Sequence, residues 1–441
     1  MTGYVAARTP KDRAGSGWYE ILPPPPPPRP LEEDLSVDWL VVGAGFAGLS
    51  AARRLTQLRD GERIAVLDAQ RVGWGSAGRN TGFMIDLPHE LNSDSYASGL
   101  EKDRKQIRMN RAGIAFAREA VEAHGLEPHF DACGKVHGAT DGNGLEALRS
   151  FEAHLDRLGE PYEPLSADDL KRITGTDYYA GGTFTPGAAL IQPAGYVRGL
   201  AEGLKEKVAI YEDSPALEIE TGGDMTVRTP KGRIRTRHLV LTVNGQIESF
   251  GFFQRRLMHV FTFGSMTRPL TSSEQAALGG EESWGLIPAD PMGSTIRRLR
   301  DGRIVVRNTF TYNPDMTTSA AQVDRIGRQH DRSFRARFPM LRDVEMEHRW
   351  GGHLCLSLNS VPAFGEVEER VYVACCQNGL GTVKGTLSGK LIADLACGAN
   401  DPMVADMLAL AAPRKLYPEP FMTLGAHAKL WWMHKRAGRD L

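Results

Sequence analysis

Cysteine is scarce in this chain, and neither sign of charge is in excess. The five cysteines, Cys133, Cys355, Cys375, Cys376 and Cys397, are odd in number and lack C-x-x-C spacing, which argues against a disulfide framework and a zinc site. Against 53 Lys and Arg stand 54 Asp and Glu, and the body of the chain has no dense basic run, so no nucleic-acid partner is expected. No apolar run reaches the roughly 18 residues that a membrane helix needs, and the polar, proline-rich start lacks the apolar stretch of a signal peptide. With its thiols expected to stay reduced, the chain reads as cytoplasmic.

Apolar residues make up 41% of the 441 positions, enough for a sizeable core in two or three domains. Glycine carries the most information. Trp39-Leu40-Val41-Val42 leads into Gly43-Ala44-Gly45-Phe46-Ala47-Gly48, then an Ala- and Leu-rich helical stretch, then Ile64 to Leu67 ending in Asp68. A strand, a G-x-G-x-x-G turn, a helix and a strand with a terminal acid describe a dinucleotide-binding βαβ unit. Gly43 permits the tight turn, Gly45 the approach of a pyrophosphate and Gly48 the packing of helix on strand. The helix start at Phe46 and Ala47 presents free N–H groups to the phosphates. Asp68, followed by Ala69, stands where a carboxylate accepts from both hydroxyls of an adenosine ribose. A 2′-phosphate would be repelled there, which favours FAD or NAD over NADP.

Past Asp68 the chain departs from a plain NAD-binding repeat. Gly73-Trp74-Gly75-Ser76-Ala77-Gly78-Arg79-Asn80-Thr81-Gly82 suits a backbone wrapped against a large flat ligand, with a glycine-rich surface loop as the alternative. On the ligand reading Gly75, Ser76, Gly78 and Thr81 supply backbone contacts, Arg79 lies near phosphate or a flavin carbonyl oxygen, and Asn80 binds ring edges. His238 to Val243 reads as a buried strand ending at Asn244, a further cofactor contact. A second strand, Val371 to Cys376, leads through a glycine loop into a helix stopped by Gly398. Gly379, Leu380, Gly381, Thr382 and Val383 at that helix start can stabilise negative charge on a ligand, with a simple core helix as the alternative.

Residues 251–350 are rich in β-branched and aromatic side chains, with Asp301-Gly302 as a hairpin turn. The expected antiparallel sheet carries Arg297, Arg298, Arg307 and Tyr312, candidates for holding the polar or anionic end of a substrate. Alternation puts Arg303, Val305 and Arg307 on one face, so only some of these arginines look inward. His353 is the candidate catalytic base and Lys384 a candidate partner for a substrate carboxylate; a core or solvated residue is the competing reading for each. Residues 1–35, with consecutive prolines from Pro23 to Pro28, read as a polyproline II leader lying over the surface and anchored by Trp18 and Tyr19. The tail, with Trp431, Trp432, Lys435 and Arg436, is expected to pack on its own protein rather than on a membrane.

The βαβ unit followed by the Gly73-to-Gly82 segment resembles the D-amino-acid oxidase and glycine oxidase superfamily of FAD proteins. Within it the chain is most similar to the γ-glutamylputrescine oxidoreductase branch, whose members carry a similar G-x-G-x-x-G-R-N segment here. The likeness extends over nearly all the chain after about residue 36. It implies an α/β fold with a discontinuous Rossmann-type FAD-binding domain, 36–125, 191–250 and 351–400. An α+β substrate domain built on an antiparallel sheet, 126–190 and 251–350, is inserted into it, with a leader 1–35 and a tail 401–441. The implied cofactor is FAD and the implied reaction is oxidation of a C–N bond in a small amine or amino acid, a γ-glutamylated or N-substituted amine first. The carbon gives a hydride to flavin N5, and the imine hydrolyses to an aldehyde or keto product. O2 or another acceptor takes the electrons. Sarcosine-type relatives use a lysine on the strand that here reads Arg303-Ile304-Val305-Val306-Arg307, which has none, so oxidase and dehydrogenase both stay open. Relatives that bind FAD covalently use a cysteine near Cys355 or a histidine where Arg79 stands, and only the cysteine is available. The competing functions are an NAD-dependent dehydrogenase and a flavin-binding subunit of a larger complex.

Overall fold

The structure is a computed structural model that describes residues 2–12, 14–88 and 98–441. Its first sheet has a parallel centre in which Arg233–Leu241, Asp34–Val42, Ile64–Leu67 and Val208–Tyr211 lie side by side, with Val371–Cys375 parallel to Arg233–Leu241. Such strands are covered on both faces, which is why Leu40, Val41, Val66, Leu239 and Val240 are all fully buried. The helices Phe46–Leu58, Leu100–His124 and Gly381–Cys397 pack together on one side, where a Cβ on Gly389 would stand 2.0 Å from the Ala47 carbonyl oxygen. That clearance fixes how closely two helices from opposite ends of the sequence cross.

The second sheet runs Met346–Leu356, Met258–Thr267, Ile304–Tyr312, Thr295–Arg298, Trp284–Pro288, Lys135–Ala139, Gly181–Thr185, Glu163–Ser166 in spatial order. All its pairings are antiparallel except Trp284–Pro288 on Lys135–Ala139. The Asp301-Gly302 hairpin turn forms as expected, with Gly302 at φ 80°. The strand Met346–Leu356 runs unbroken past position 350, so His353 belongs to this second sheet.

The N-terminal segment is built in more deeply than a surface leader. Thr2–Val5 adds an antiparallel edge strand to the first sheet beside Glu218–Thr221. Trp18 is 0% exposed among Met266, Val305, Trp350 and Ala194, and its ring lies 5.0 Å from the Arg297 guanidinium. Prolines offer carbonyls but no N–H, and the run is held accordingly: Arg198 donates to the Pro23 carbonyl at 2.8 Å and Arg71 to that of Pro26 at 2.5 Å. At the other end the helix Phe421–Ala437 packs Met422, Ala426 and Met433 with Val260, Phe310 and Tyr312, leaving Trp431 and Trp432 exposed. Among the described residues no helix is long and apolar enough to cross a membrane.

Candidate cofactor and active site

The strand end at Val42 turns sharply because Gly43 takes φ 105° and because Gly48 passes so close that a Cβ would lie 1.7 Å from the Gly43 carbonyl oxygen. Asp68, at the end of the neighbouring strand, accepts from the Ala44 amide at 2.7 Å and the Gln70 amide at 2.9 Å. Burial, with Glu212 and Asp213 nearby, pushes its carboxyl up to about 6 against those two amides. Two carboxylate oxygens at the rim of an open crevice match two ribose hydroxyls.

One cavity of about 310 Å³ joins this crevice to both glycine-rich loops and to the second sheet. Gly43, Gly45, Phe46, Ala47, Asp68, Ala69, Gly75, Ser76, Arg79, Asn80, Thr81, Asn244, Gly379 and Gly381 all line it, together with Arg307 and His353. Gly48, Gly78 and Val383 serve packing behind the wall instead: a Cβ on Gly78 would lie 1.8 Å from the Gly73 carbonyl oxygen, and Val383 is fully buried. Leu380 and Thr382 line a small adjoining cavity shared with Thr81 and Arg307. The other two substrate candidates lie apart from both. Lys384 faces a separate cavity with Ser357, Asn378 and Phe421, and Tyr312 faces one with His427 and Trp431.

Each loop is shaped by its own polar residues. Asn80 donates to the Ala77 carbonyl at 2.7 Å and accepts from the Gly82 amide at 2.8 Å. Arg79 directs Nε to the Trp74 carbonyl at 2.7 Å, one terminal nitrogen to that of Gly351 at 3.0 Å, and the other to that of Ala14. It therefore ties three segments together around the cavity. Arg297 does similar work, donating at 2.7 Å to the carbonyls of both Thr81 and Ile191, and is fully buried, which pulls it down to about 10. In the late loop Asn378, at φ 51°, receives the Ser357 amide at 2.8 Å and donates to the Val361 carbonyl at 3.0 Å. A Cβ on Gly381 would meet no atom within 4 Å, so this helix start faces open space.

Behind His353 stands a polar chain that periodicity and motif spacing do not reveal. His353 Nε2 lies 3.2 Å from His259 Nδ1, and His259 Nε2 lies 2.9 Å from Glu248 Oε2. The other Glu248 oxygen accepts from the Arg256 amide at 3.0 Å. Since the carboxylate takes the proton on His259 Nε2, the contact between the rings is satisfied when His353 Nε2–H donates, leaving His353 Nδ1 bare. Burial and the second imidazole hold His353 down to about 3, so it stays a neutral acceptor. Cys355 is the converse. Its thiol donates to Asn244 Oδ1 at 3.0 Å, and its hydrogen bond with Cys376 and its burial hold its pKa well above the usual thiol range. It is therefore poorly suited to bond covalently to a cofactor. No cluster among the described residues is arranged to hold a metal.

An elongated ligand with a diphosphate at its middle fits this donor set. The phosphate loop and the helix start at Phe46 suit the diphosphate, Asp68 the ribose, and Asn80, Asn244 and Gly381 a flat polar ring. The comparisons agree. The family model described as FAD dependent oxidoreductase, DAO, matches residues 38–395. The chain is 27% identical over 385 residues to the probable oxidoreductase OrdL of Haemophilus influenzae, covering 84% of this chain and 85% of that protein. It is 25% identical over 372 residues to the gamma-glutamylputrescine oxidoreductase of Escherichia coli, covering 83% and 85%. Among solved structures, glycine oxidase from Geobacillus kaustophilus superposes with a TM-score of 0.71 at 19% identity, over 87% of this chain and 100% of that one.

Proposed function

The chain belongs to the DAO family of FAD-dependent oxidoreductases, and on that premise we propose that it oxidises a C–N bond of an amine or amino acid, with a γ-glutamylated or otherwise N-substituted amine as the substrate class. What supports this most is that Arg307 and His353 line the same cavity as the phosphate loop and both glycine-rich loops. Bound FAD supplies the acceptor for the hydride that leaves the carbon beside nitrogen. The protein must then hold that carbon, keep the amine unprotonated and keep water out.

Arg307 suits the first task, because a guanidinium fork matches the carboxylate that a γ-glutamyl group or an amino acid carries. Its guanidinium lies 4.9 Å from the Phe310 ring, which limits its rotamers. His353 suits the second as an acceptor: held down to about 3, its neutral imidazole is too weak a base to take the proton of an ammonium group, but its bare Nδ1 can accept a hydrogen bond from the N–H of the free amine and so favour that form. Phe263, Phe310 and Met316 line the same cavity and serve the third. The helix start at Gly381 brings positive partial charge to the site. The name of the Escherichia coli relative, gamma-glutamylputrescine oxidoreductase, is consistent with this class. A cytoplasmic setting suits the five free cysteines.

The test is an anaerobic panel. Purified protein is mixed with γ-glutamyl diamines, the parent diamines, N-methyl amino acids and free amino acids, and the blue absorption of bound flavin is followed. Bleaching by a carboxylate-bearing amine supports the reading; no bleaching by any amine contradicts it.

A further inference from the structure

The segment before the matched span lines the cofactor cavity through residues 8–12. At one side the Ala7 amide donates to the Ser249 carbonyl at 3.0 Å; at the other Ser16 Oγ donates to the Gly78 carbonyl at 2.6 Å. Between these anchors Arg8 donates to the Pro314 carbonyl at 3.0 Å and Trp74 donates to the Asp12 carbonyl at 3.2 Å, so the segment is tied both to the loop after the strand Ile304–Tyr312 and to the first glycine-rich loop. Arg8, Lys11 and Asp12 line the same cavity as Gly43, Gly45 and Asp68.

The charges there are unevenly partnered. From Gly43 to Leu49 the phosphate loop carries no lysine or arginine. Of the other cations lining the cavity near it, Arg71 is paired with Glu212 at 3.0 Å, and Arg79 stands 3.8 Å from Asp12 with its nitrogens on carbonyls. Arg8 has a neutral partner, and among the described residues Lys11 has no hydrogen-bond or ion-pair partner. An FAD diphosphate brings two negative charges into this cavity, and helix-end dipoles offset only part of them.

We infer that residues 8–12 are part of the FAD site, with Arg8 and Lys11 supplying the cationic contacts to the diphosphate that the glycine loop lacks, and with the buried Trp18 and the Asp12–Arg79 pair holding the strap in place. The cofactor is thus gripped from below by the first βαβ unit and from above by a segment that precedes it in sequence.

The experiment uses the full chain, stripped of flavin and reconstituted, as wild type and as the double variant Arg8→Gln, Lys11→Gln, which leaves Ser16 and Trp18 intact. Flavin fluorescence gives the FAD dissociation constant at two salt concentrations, and competition gives those of ADP and adenosine. Hydrogen exchange of residues 2–15 with and without FAD reports on the strap directly. We expect FAD and ADP to bind at least tenfold more weakly to the variant with a shallower salt dependence, adenosine to bind equally to both proteins, and FAD to slow exchange across residues 8–12. FAD affinity within twofold of wild type, or an equal loss for adenosine and ADP, or exchange unchanged by FAD, overturns the inference.

Discussion

His259 Nδ1 lies 3.2 Å from His353 Nε2, so a histidine behind the cavity wall decides which nitrogen of the cavity histidine carries the proton. Replacing His353 by Ala should lower kcat/KM by roughly 2- to 12-fold, as expected for one lost neutral hydrogen bond of about 0.5–1.5 kcal/mol to the free amine, with the flavin spectrum unchanged. Replacing His259 by Asn should cost less and shift the pH profile, because the ring of His353 is then free to change tautomer. Steady-state kinetics from pH 6 to 10 check both. Since His353 is held down to about 3, the acid limb should follow the substrate amine and move when the amine is changed.

Asp68 makes cofactor binding pH-dependent. Its carboxyl is pushed up to about 6 by burial, and only the ionised form accepts from two hydroxyls. FAD affinity of the stripped protein should be flat above pH 7 and fall below pH 6, by up to about tenfold per pH unit. Because this pKa is raised, the same group favours the folded cofactor-free protein below its unfolded value and loses that contribution as pH rises through 6. Titration of FAD into the stripped protein, with Asp68→Asn as the pH-insensitive control, checks the sign.

Two glycines in one helix should respond differently. A Cβ at Gly389 would lie 2.0 Å from the Ala47 carbonyl oxygen, whereas at Gly381 it would meet nothing within 4 Å. Gly389→Ala should cost about 1–3 kcal/mol of stability by forcing the helices apart. Gly381→Ala should leave the stripped protein within about 0.5 kcal/mol of wild type and weaken FAD. Denaturant unfolding with and without FAD separates the two effects.

The parts of this site that depend on local pattern were legible in the sequence. The turn at Gly43, the acid at Asp68, the hairpin at Asp301-Gly302 and the helix stop at Gly398 each follow from neighbours a few residues away. Asp68 and Gly381 share a cavity because each ends or follows a buried strand of one parallel sheet. The relay was not legible: Glu248, His259 and His353 sit on a short 3-10 helix, Asn244–Phe250, and two strands, and only strand pairing brings the histidines together. The orientation of Arg79 was hidden for the same reason, since the carbonyls that take its protons belong to Ala14, Trp74 and Gly351. A lone Trp18 in a proline-rich segment has no periodicity to show that it is core; its pairing with Tyr19 was the only signal.

The FAD should come away from the protein on acid precipitation. Cys355 and Cys375 both line the cavity, and both thiols are held in the protonated form, Cys355 by Cys376 and by burial and Cys375 chiefly by burial, which denies them nucleophilic character. After centrifugation the yellow colour should be in the supernatant.

The central claim is that a carboxylate-bearing amine is held by Arg307 in the cavity that both glycine loops enclose. Rapid mixing of the oxidised protein with a γ-glutamyl diamine under anaerobic conditions tests it most directly, with wild type and Arg307→Ala compared at equal flavin content. The substrate dissociation constant from the concentration dependence of flavin reduction should rise roughly 10- to 100-fold in the variant, as expected for a lost charge-assisted hydrogen bond. Equal dissociation constants for the two proteins would contradict the account.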